Sequence, residues 1–308
     1  VGRLSRIFAR DSPRPSNGSN RIINVDPKMS VADITVVVPY YNEAKSIRTT
    51  LNLLKAQTLA PKEIFLVNSS STDEGSRIVD DWVAREASGS ATRYRNVFEN
   101  TNTPGSSKNV GVRRSSGRWI AFLDCGLIFP TNWLESQHEY LVTHPRSDWV
   151  SGVGHFEGVN FFDKCAVAQT YGYRRFRPTV HSSLLKRELF ARFGLFLENR
   201  RAGYDVAWRL LLEKNGISRG VNPDVQIRYE GVNFGRSLWA IFKKSILYAA
   251  PMVTMPVYRR PLWFLLFAGA AFLTLLVLNS RVALMGFLLY ILVRGLLVPI
   301  VKSRNYGI

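Results

Sequence analysis

Leu262 to Leu278 runs for seventeen residues without a charge, and the twenty from Val282 to Val301 carry only Arg294. A helix that crosses a bilayer core needs about 20 apolar residues, so each run approaches a full crossing. Asn279-Ser280-Arg281 between them predicts a tight hairpin. Arg259-Arg260 before the first run, with Lys302 and Arg304 after the second, predict that both ends stay on the cytoplasmic side. Arg294 would cost about 3 kcal/mol at the bilayer centre unless it faces a helix, snorkels or pairs. The other reading is two buried helices of a soluble core. The pattern favours attachment to the inner, cytoplasmic membrane.

The chain has 308 residues, enough for one large domain or two modest ones with an ample core. Its 41 Lys and Arg against 23 Asp and Glu give a net charge of +18, which points to anionic partners. That charge is dispersed, and no nucleic-acid-binding motif accompanies it. Anionic membrane lipids and a nucleotide ligand are therefore expected, and nucleic acid is not. Cys125 and Cys165 have no metal-ligand spacing and no disulfide framework, as in a reducing compartment. The N-terminal residues lack an apolar run of secretory length, so the main domain is expected to face the cytoplasm. Residues 1–32, rich in Ser, Pro, Asn and Arg, read as a flexible basic leader.

Between leader and tail, apolar strands alternate with amphipathic helices. Ile34 to Val38 is β-branched and stops at Pro39, the mark of a buried strand. A helix is expected from Ala44 to Gln57, with Ile47, Leu51 and Leu54 on one face. Glu63 to Val67 is a second strand. It ends in the small polar loop Asn68 to Asp73, which opens a helix carrying Ile78, Val79 and Trp82. A weaker strand near Tyr94 to Phe98, a Pro104 to Ser107 turn and a helix from Lys108 to Ser115 follow. The run Trp119 to Leu123 then ends abruptly in Asp124, with Gly126 turning the chain. This order predicts an α/β fold, a doubly wound, mostly parallel sheet flanked by helices. Asp124 would stand at the carboxyl rim of that sheet, where such folds place ligands, or would cap the next helix. Further on, Trp149 to Val153 and Val225 to Tyr229 read as strands, Ser182 to Phe193 as a strand passing into a helix, and Gly203 to Lys214 as a helix. Ser237 to Tyr248 reads as a basic amphipathic helix suited to a membrane interface.

Val36 to Glu43 (with Pro39-Tyr40-Tyr41-Asn42-Glu43), the Asn68 to Asp73 loop, Gly105 to Gly117 and Phe122-Leu123-Asp124 together resemble the nucleotide-sugar transferases of glycosyltransferase family 2. The order and spacing of the four motifs make the resemblance specific. It covers roughly residues 33–250 and implies a GT-A fold. The nucleotide-binding half would span about 33–130 and the acceptor half about 131–250, with an interfacial segment and transmembrane hairpin over 251–308. It also implies that Pro39, Tyr41, Asn42, Glu43, Asn68, Ser70 and Asp73 hold the donor's base and ribose. The plain alternatives are that Tyr41 simply packs and that Asp73 only caps its helix. Lys108, where the family commonly has Arg, would reach the diphosphate. In the family the catalytic base is an Asp opening a late helix, so Gly203-Tyr204-Asp205 implies Asp205 as the base, with Tyr204 in the usual Glu position. Its plain alternative is a carboxylate favoured by the helix dipole.

Three departures stand out. The metal-anchoring Asp-x-Asp is Asp124-Cys125-Gly126, the late His is Tyr229, and the second strand's acidic pair is Asn68-Ser69. Asp124 is then the remaining candidate ligand for Mg²⁺ or Mn²⁺, too little to hold a hard cation. Metal-independent activity is expected, with Lys108, Arg113 or Arg201 neutralising the leaving diphosphate. Gln-x-x-Arg-Trp is missing, and Arg236-Ser237-Leu238-Trp239 is a partial echo. The expectation is inverting, non-processive transfer of a sugar from a nucleotide-sugar donor to a lipid-linked glycan acceptor. This would serve envelope or exopolysaccharide assembly. The alternative is a catalytically silent member acting as a binding or scaffolding subunit among polysaccharide assembly partners.

Overall fold

The computed structural model describes residues 31–86, 89–171, 177–232, 237–253 and 255–306. The expected leader, apart from residues 31 and 32, and Arg236 lie outside them.

Strand β1 (Ala32–Tyr40) is followed by α1 (Ile47–Lys55), β2 (Pro61–Asn68), α2 (Gly75–Glu86), β3 (Arg93–Phe98), α3 (Pro104–Arg114) and β4 (Trp119–Phe122). These four strands pair in parallel in the order β3-β2-β1-β4. Their middle members read as continuous apolar runs because both faces are covered. Val36 and Val38 face one core with Ile47, Leu51 and Trp82, while Val37 and Phe65 face another with Phe122, Phe196 and Trp208.

The second half is mixed. It comprises β5 (Leu127–Ile128), α4 (Trp133–Thr143), β6 (Trp149–Gly158), α5 (Phe161–Tyr171), β7 (Arg177–Pro178), β8 (Leu184–Lys186), α6 (Glu188–Phe193), α7 (Tyr204–Lys214) and β9 (Arg219–Val232). Strand β8 pairs antiparallel with β4, β6 antiparallel with β8, and β9 parallel with β6. One sheet therefore runs β3-β2-β1-β4-β8-β6-β9-β5 through both halves, with β7 beside β6. The parallel order expected from strand–helix alternation holds where that alternation is regular, and fails where short segments and turns replace it.

Helix α3 begins at Pro104, four residues before the expected Lys108. Pro104 takes an N-terminal position where its missing N–H costs nothing. Its buried face is made of small residues, Gly105, Ser106, Ser107 and Gly111, around one long side chain, Lys108. A Cβ on Gly111 would stand 2.3 Å from Val37 Cγ1, so only glycine lets α3 lie this close to β1. Gly111→Ala is expected to lose about 1–3 kcal/mol by overpacking, read from the denaturant midpoint of the protein in detergent.

Four helical stretches close the chain: α8 (Leu238–Val253), α9 (Pro256–Leu278), α10 (Ser280–Tyr290) and α11 (Val298–Tyr306). A π-helical stretch, Ile291–Leu297, joins the last two into one helix, 280–306. The side chain of Asn279 accepts from Val282 N and caps α10, and Phe272 meets Phe287 across the turn. The hairpin expected at Asn279 is present. Among the described residues, helix 280–306 is by itself long and apolar enough to cross a membrane, and α9 contributes the apolar stretch Trp263–Leu278 beside it.

Candidate active site

The carboxyl ends of β1 and β4 open onto a cleft whose empty space, open solvent at its mouth included, is roughly 650 Å³. Pro39, Tyr41 and Glu43 line it from the end of β1, and Asp124 and Cys125 from the end of β4. Lys108 reaches it from α3, Arg201 from the loop before α7, and Tyr229 from β9. Among the backbone positions around it, Asn42, Ser70 and Asn102 adopt left-handed φ values of 55°, 62° and 51°. Such conformations cost energy and gather at binding loops.

Lys108 is the centre of the arrangement. It is fully buried, and its ammonium donates to Asp124 Oδ1 at 2.6 Å and to the Tyr204 hydroxyl at 3.3 Å. Burial alone would favour neutral lysine, but the Asp124 carboxylate outweighs it and keeps the group charged well beyond the ordinary range. Asp124 is its counterpart. Burial would raise its carboxyl, and the charges of His181 and Lys108 instead hold it far below the usual carboxylate range. Burial pushes the phenols of Tyr204 and Tyr229 well up, so both remain protonated. The Cys125 thiol is pushed up to about 12, by burial first and then by Glu43.

His181 was not legible in the sequence. Its Nδ1 stands in close contact with Asp124 Oδ2, at 2.6 Å. The sheet explains it. Ala121 pairs with Leu184 in the antiparallel β4–β8 ladder, and Phe122 N donates to Ser183 O. The same register carried to the strand ends sets His181 opposite Asp124. Tyr229, expected in the histidine's place, lines the cleft instead and stacks on Phe156.

The expected donor-binding residues divide into two groups. Pro39, Tyr41, Glu43, Lys108 and Asp124 line the cleft, with the Arg201 guanidinium 5.9 Å from the Tyr41 ring centroid. Burial raises the Glu43 carboxyl, and the neighbouring charges of Asp73 and Asp124 add to it. Asn42, Asn68, Ser70 and Asp73 are instead bonded into the loops. Asn42 Oδ1 accepts from Thr72 N, Asn68 Oδ1 from Ser71 N, and Ser70 donates to Glu99 O. Asp73 caps the start of α2 by accepting from Gly75 N and ties it to the loop after β1 by accepting from Ala44 N. Ser69 lines the cleft where Ser70 was expected to. Arg113 pairs with Glu198 and is not part of the lining. Asp205 lies in the first turn of α7, directly after Tyr204. It is outside the lining, although Tyr204 links that turn to Lys108 and Asp124.

The fold agrees with what known proteins offer. The sequence profile of glycosyl transferase family 2 matches residues 35–197, more than half of the chain. The chain belongs to glycosyl transferase family 2. An uncharacterized glycosyltransferase of Rickettsia bellii is 27% identical over 226 residues, covering 66% of this chain and 29% of its own length. The chain thus spans less than a third of that relative. Glycosyltransferase AglE of Haloferax volcanii is 27% identical over 226 residues, covering 68% of this chain and 71% of itself. In fold, the family 2 chain is similar to a mannosyltransferase of Pyrobaculum calidifontis solved with GDP-Man and Mn²⁺. The TM-score is 0.56 at 19% identity, over 90% of this chain and 86% of that one.

That neighbour's metal prompts a test of fit here. One oxygen of Asp124 faces the Lys108 ammonium and the other the His181 ring, and Gly126 offers no side chain. Among the described residues no three His, Cys, Asp or Glu side chains gather in a metal-holding group. The donor set does not suit a divalent ion.

Proposed function

We propose that this protein transfers a sugar from a nucleotide-sugar donor to a lipid-linked glycan acceptor at the cytoplasmic face of the inner membrane. It would do so in envelope or exopolysaccharide assembly, in an inverting, non-processive reaction. The observation that carries this reading is the buried Lys108 ammonium fixed at the carboxyl rim of the sheet, lining an open cleft there. A departing nucleoside diphosphate needs positive charge that is already in place. Lys108 within the cleft and Arg201 at its edge supply that charge without a metal. Tyr41, 38% exposed, offers a ring face to the base. Asp205, at the start of α7, serves as the base that takes the acceptor hydroxyl's proton.

Membrane attachment is supported by exposure. A long apolar helix is ambiguous when it is buried, because a soluble core uses such helices too. The apolar window of helix 280–306 has none of its residues buried. A surface of that size does not persist in water. Acceptors carried in the same bilayer would then meet the cleft at a raised local concentration. Helix α8, with Trp239, Phe242 and Ile246 exposed, suits the interface beside it.

The deciding experiment is thermal-shift titration of the detergent-solubilised protein with nucleoside diphosphates, with and without EDTA, followed by transfer from labelled donor. A concentration-dependent rise in Tm that survives the chelator, with transfer persisting, is expected. Binding and transfer that vanish with EDTA and return with Mn²⁺ would refute the metal-free site. The paired state of both Asp124 oxygens also favours a second reading, a silent scaffolding subunit. Nucleotide binding without transfer or donor hydrolysis would select it.

A further inference from the structure

The turn between β6 and α5 carries three exposed apolar side chains within four residues: Val159 at 67%, Phe161 at 73% and Phe162 at 37%. Scattered single hydrophobics are ordinary on a surface; this group is held in place. Asn160 closes the turn, its side-chain amide donating to Asp163 Oδ2 at 2.8 Å while its Oδ1 accepts from Asp163 N at 2.9 Å. A Cβ on Gly158 would meet Lys164 N at 2.3 Å, so the strand enters the turn at glycine contact. With Asp163 drawn inward and buried, Phe161 and Phe162 are left facing out.

The neighbouring element says what they face. Helix α11 packs along α5, with Lys302 Nζ donating to Gln169 O. Tyr306 stacks on His155 at 5.5 Å, and the next residue of β6, Phe156, stacks on Tyr171 at the end of α5. Followed backward, α11 leads into the apolar helix while α5 leads to Phe162 and Phe161.

We infer that the Val159–Phe162 turn is a second membrane contact of the α/β body. It dips into the headgroup and acyl boundary of the same bilayer that helix 280–306 crosses, and it rests on that reading of the helix. Two aromatic rings inserted about 5–10 Å beside a fixed helix would set the tilt of the body, and with it the height of the cleft above the lipid. The neighbouring Lys164, exposed on α5, matches an anionic headgroup layer.

The test uses the full chain carrying Cys165→Ser, since buried Cys125 is shielded from labelling. An environment-sensitive fluorophore is attached at Phe161→Cys, or at Val159→Cys should the first variant fold poorly. Phe98→Cys on β3 and Leu288→Cys in the apolar helix serve as references. In phosphatidylglycerol-containing nanodiscs, a lipid nitroxide near the headgroup should remove most of the emission at Phe161 and leave Phe98 unchanged. Quenching at Phe161 by aqueous iodide but not by lipid, with Leu288 still quenched by lipid, would overturn the inference alone. Shielding from both quenchers would also overturn it, pointing to a protein or a second copy over the turn. Loss of lipid quenching at Leu288 would instead bring down the membrane reading and the inference with it.

Discussion

Lys108→Met is expected to cut transfer by on the order of 10²–10³-fold and to lower stability by about 3 kcal/mol. The size of the second effect follows from what the substitution leaves behind. Methionine fills the volume, but Asp124, only 20% exposed, loses its 2.6 Å ammonium partner and retains His181 alone. Breaking one side of a buried pair costs more than removing both. The double variant Lys108→Met/Asp124→Asn should therefore recover much of the stability without recovering transfer, a coupling that a double-mutant cycle reads directly. The pH dependence has a definite sign. Asp124 is depressed in the fold, so its contribution is present above about pH 4 and fades as pH falls through its folded value. Lys108 is raised, so its contribution is present below about pH 10 and fades as pH rises through its folded value. The deficit of Lys108→Met should be flat between those limits and shrink on either side, as measured by denaturant unfolding. An unchanged midpoint would mean that the pair contributes nothing; unchanged transfer would remove Lys108 from the site.

The parts of this site that local sequence announces are those whose signal is local. An apolar strand that stops at a carboxylate places Asp124 at the rim, because strand length and the following glycine are enough to fix it. The loops after β1 and β2 are legible in the same way, from their small polar residues. His181 is not, because nothing near Val180-His181-Ser182 distinguishes it. Only the antiparallel pairing of β8 with β4, sixty residues away in the chain, brings it to Asp124. Asp73 is ambiguous in the sequence for a similar reason: whether it faces a ligand or only caps its helix depends on how close the fold brings Ala44 and Gly75. Lys108 was expected to reach a diphosphate, but its complete burial follows from glycine and serine neighbours that let α3 sink onto the sheet. The hairpin tail shows the opposite balance. Its two arms are plain in composition, yet where each helix begins depends on Pro256 and Asn279.

Asp205→Asn should lower kcat by roughly 10²–10⁴-fold while leaving the fold and nucleotide binding as they are. The separation is possible because of where Asp205 sits. It occupies the first turn of α7 outside the cleft lining, so asparagine keeps its size and polarity and removes only the ability to accept a proton. Stability should change by no more than about 0.5 kcal/mol, as for other surface positions, and the Tm shift given by a nucleoside diphosphate should match the parent's. A combined loss of kcat and of nucleotide affinity would instead mean that the start of α7 has moved, carrying Tyr204 and its hold on Lys108 with it. Full activity would mean that the proton goes elsewhere, and the cleft names the successor. Glu43 lines it, and burial has raised its carboxyl above the ordinary value, the direction that makes a carboxylate a better base near neutrality. In that event Glu43→Gln would take over the rate loss. The acidic limb of the rate profile would follow Glu43's raised pKa, with activity falling as pH drops through it.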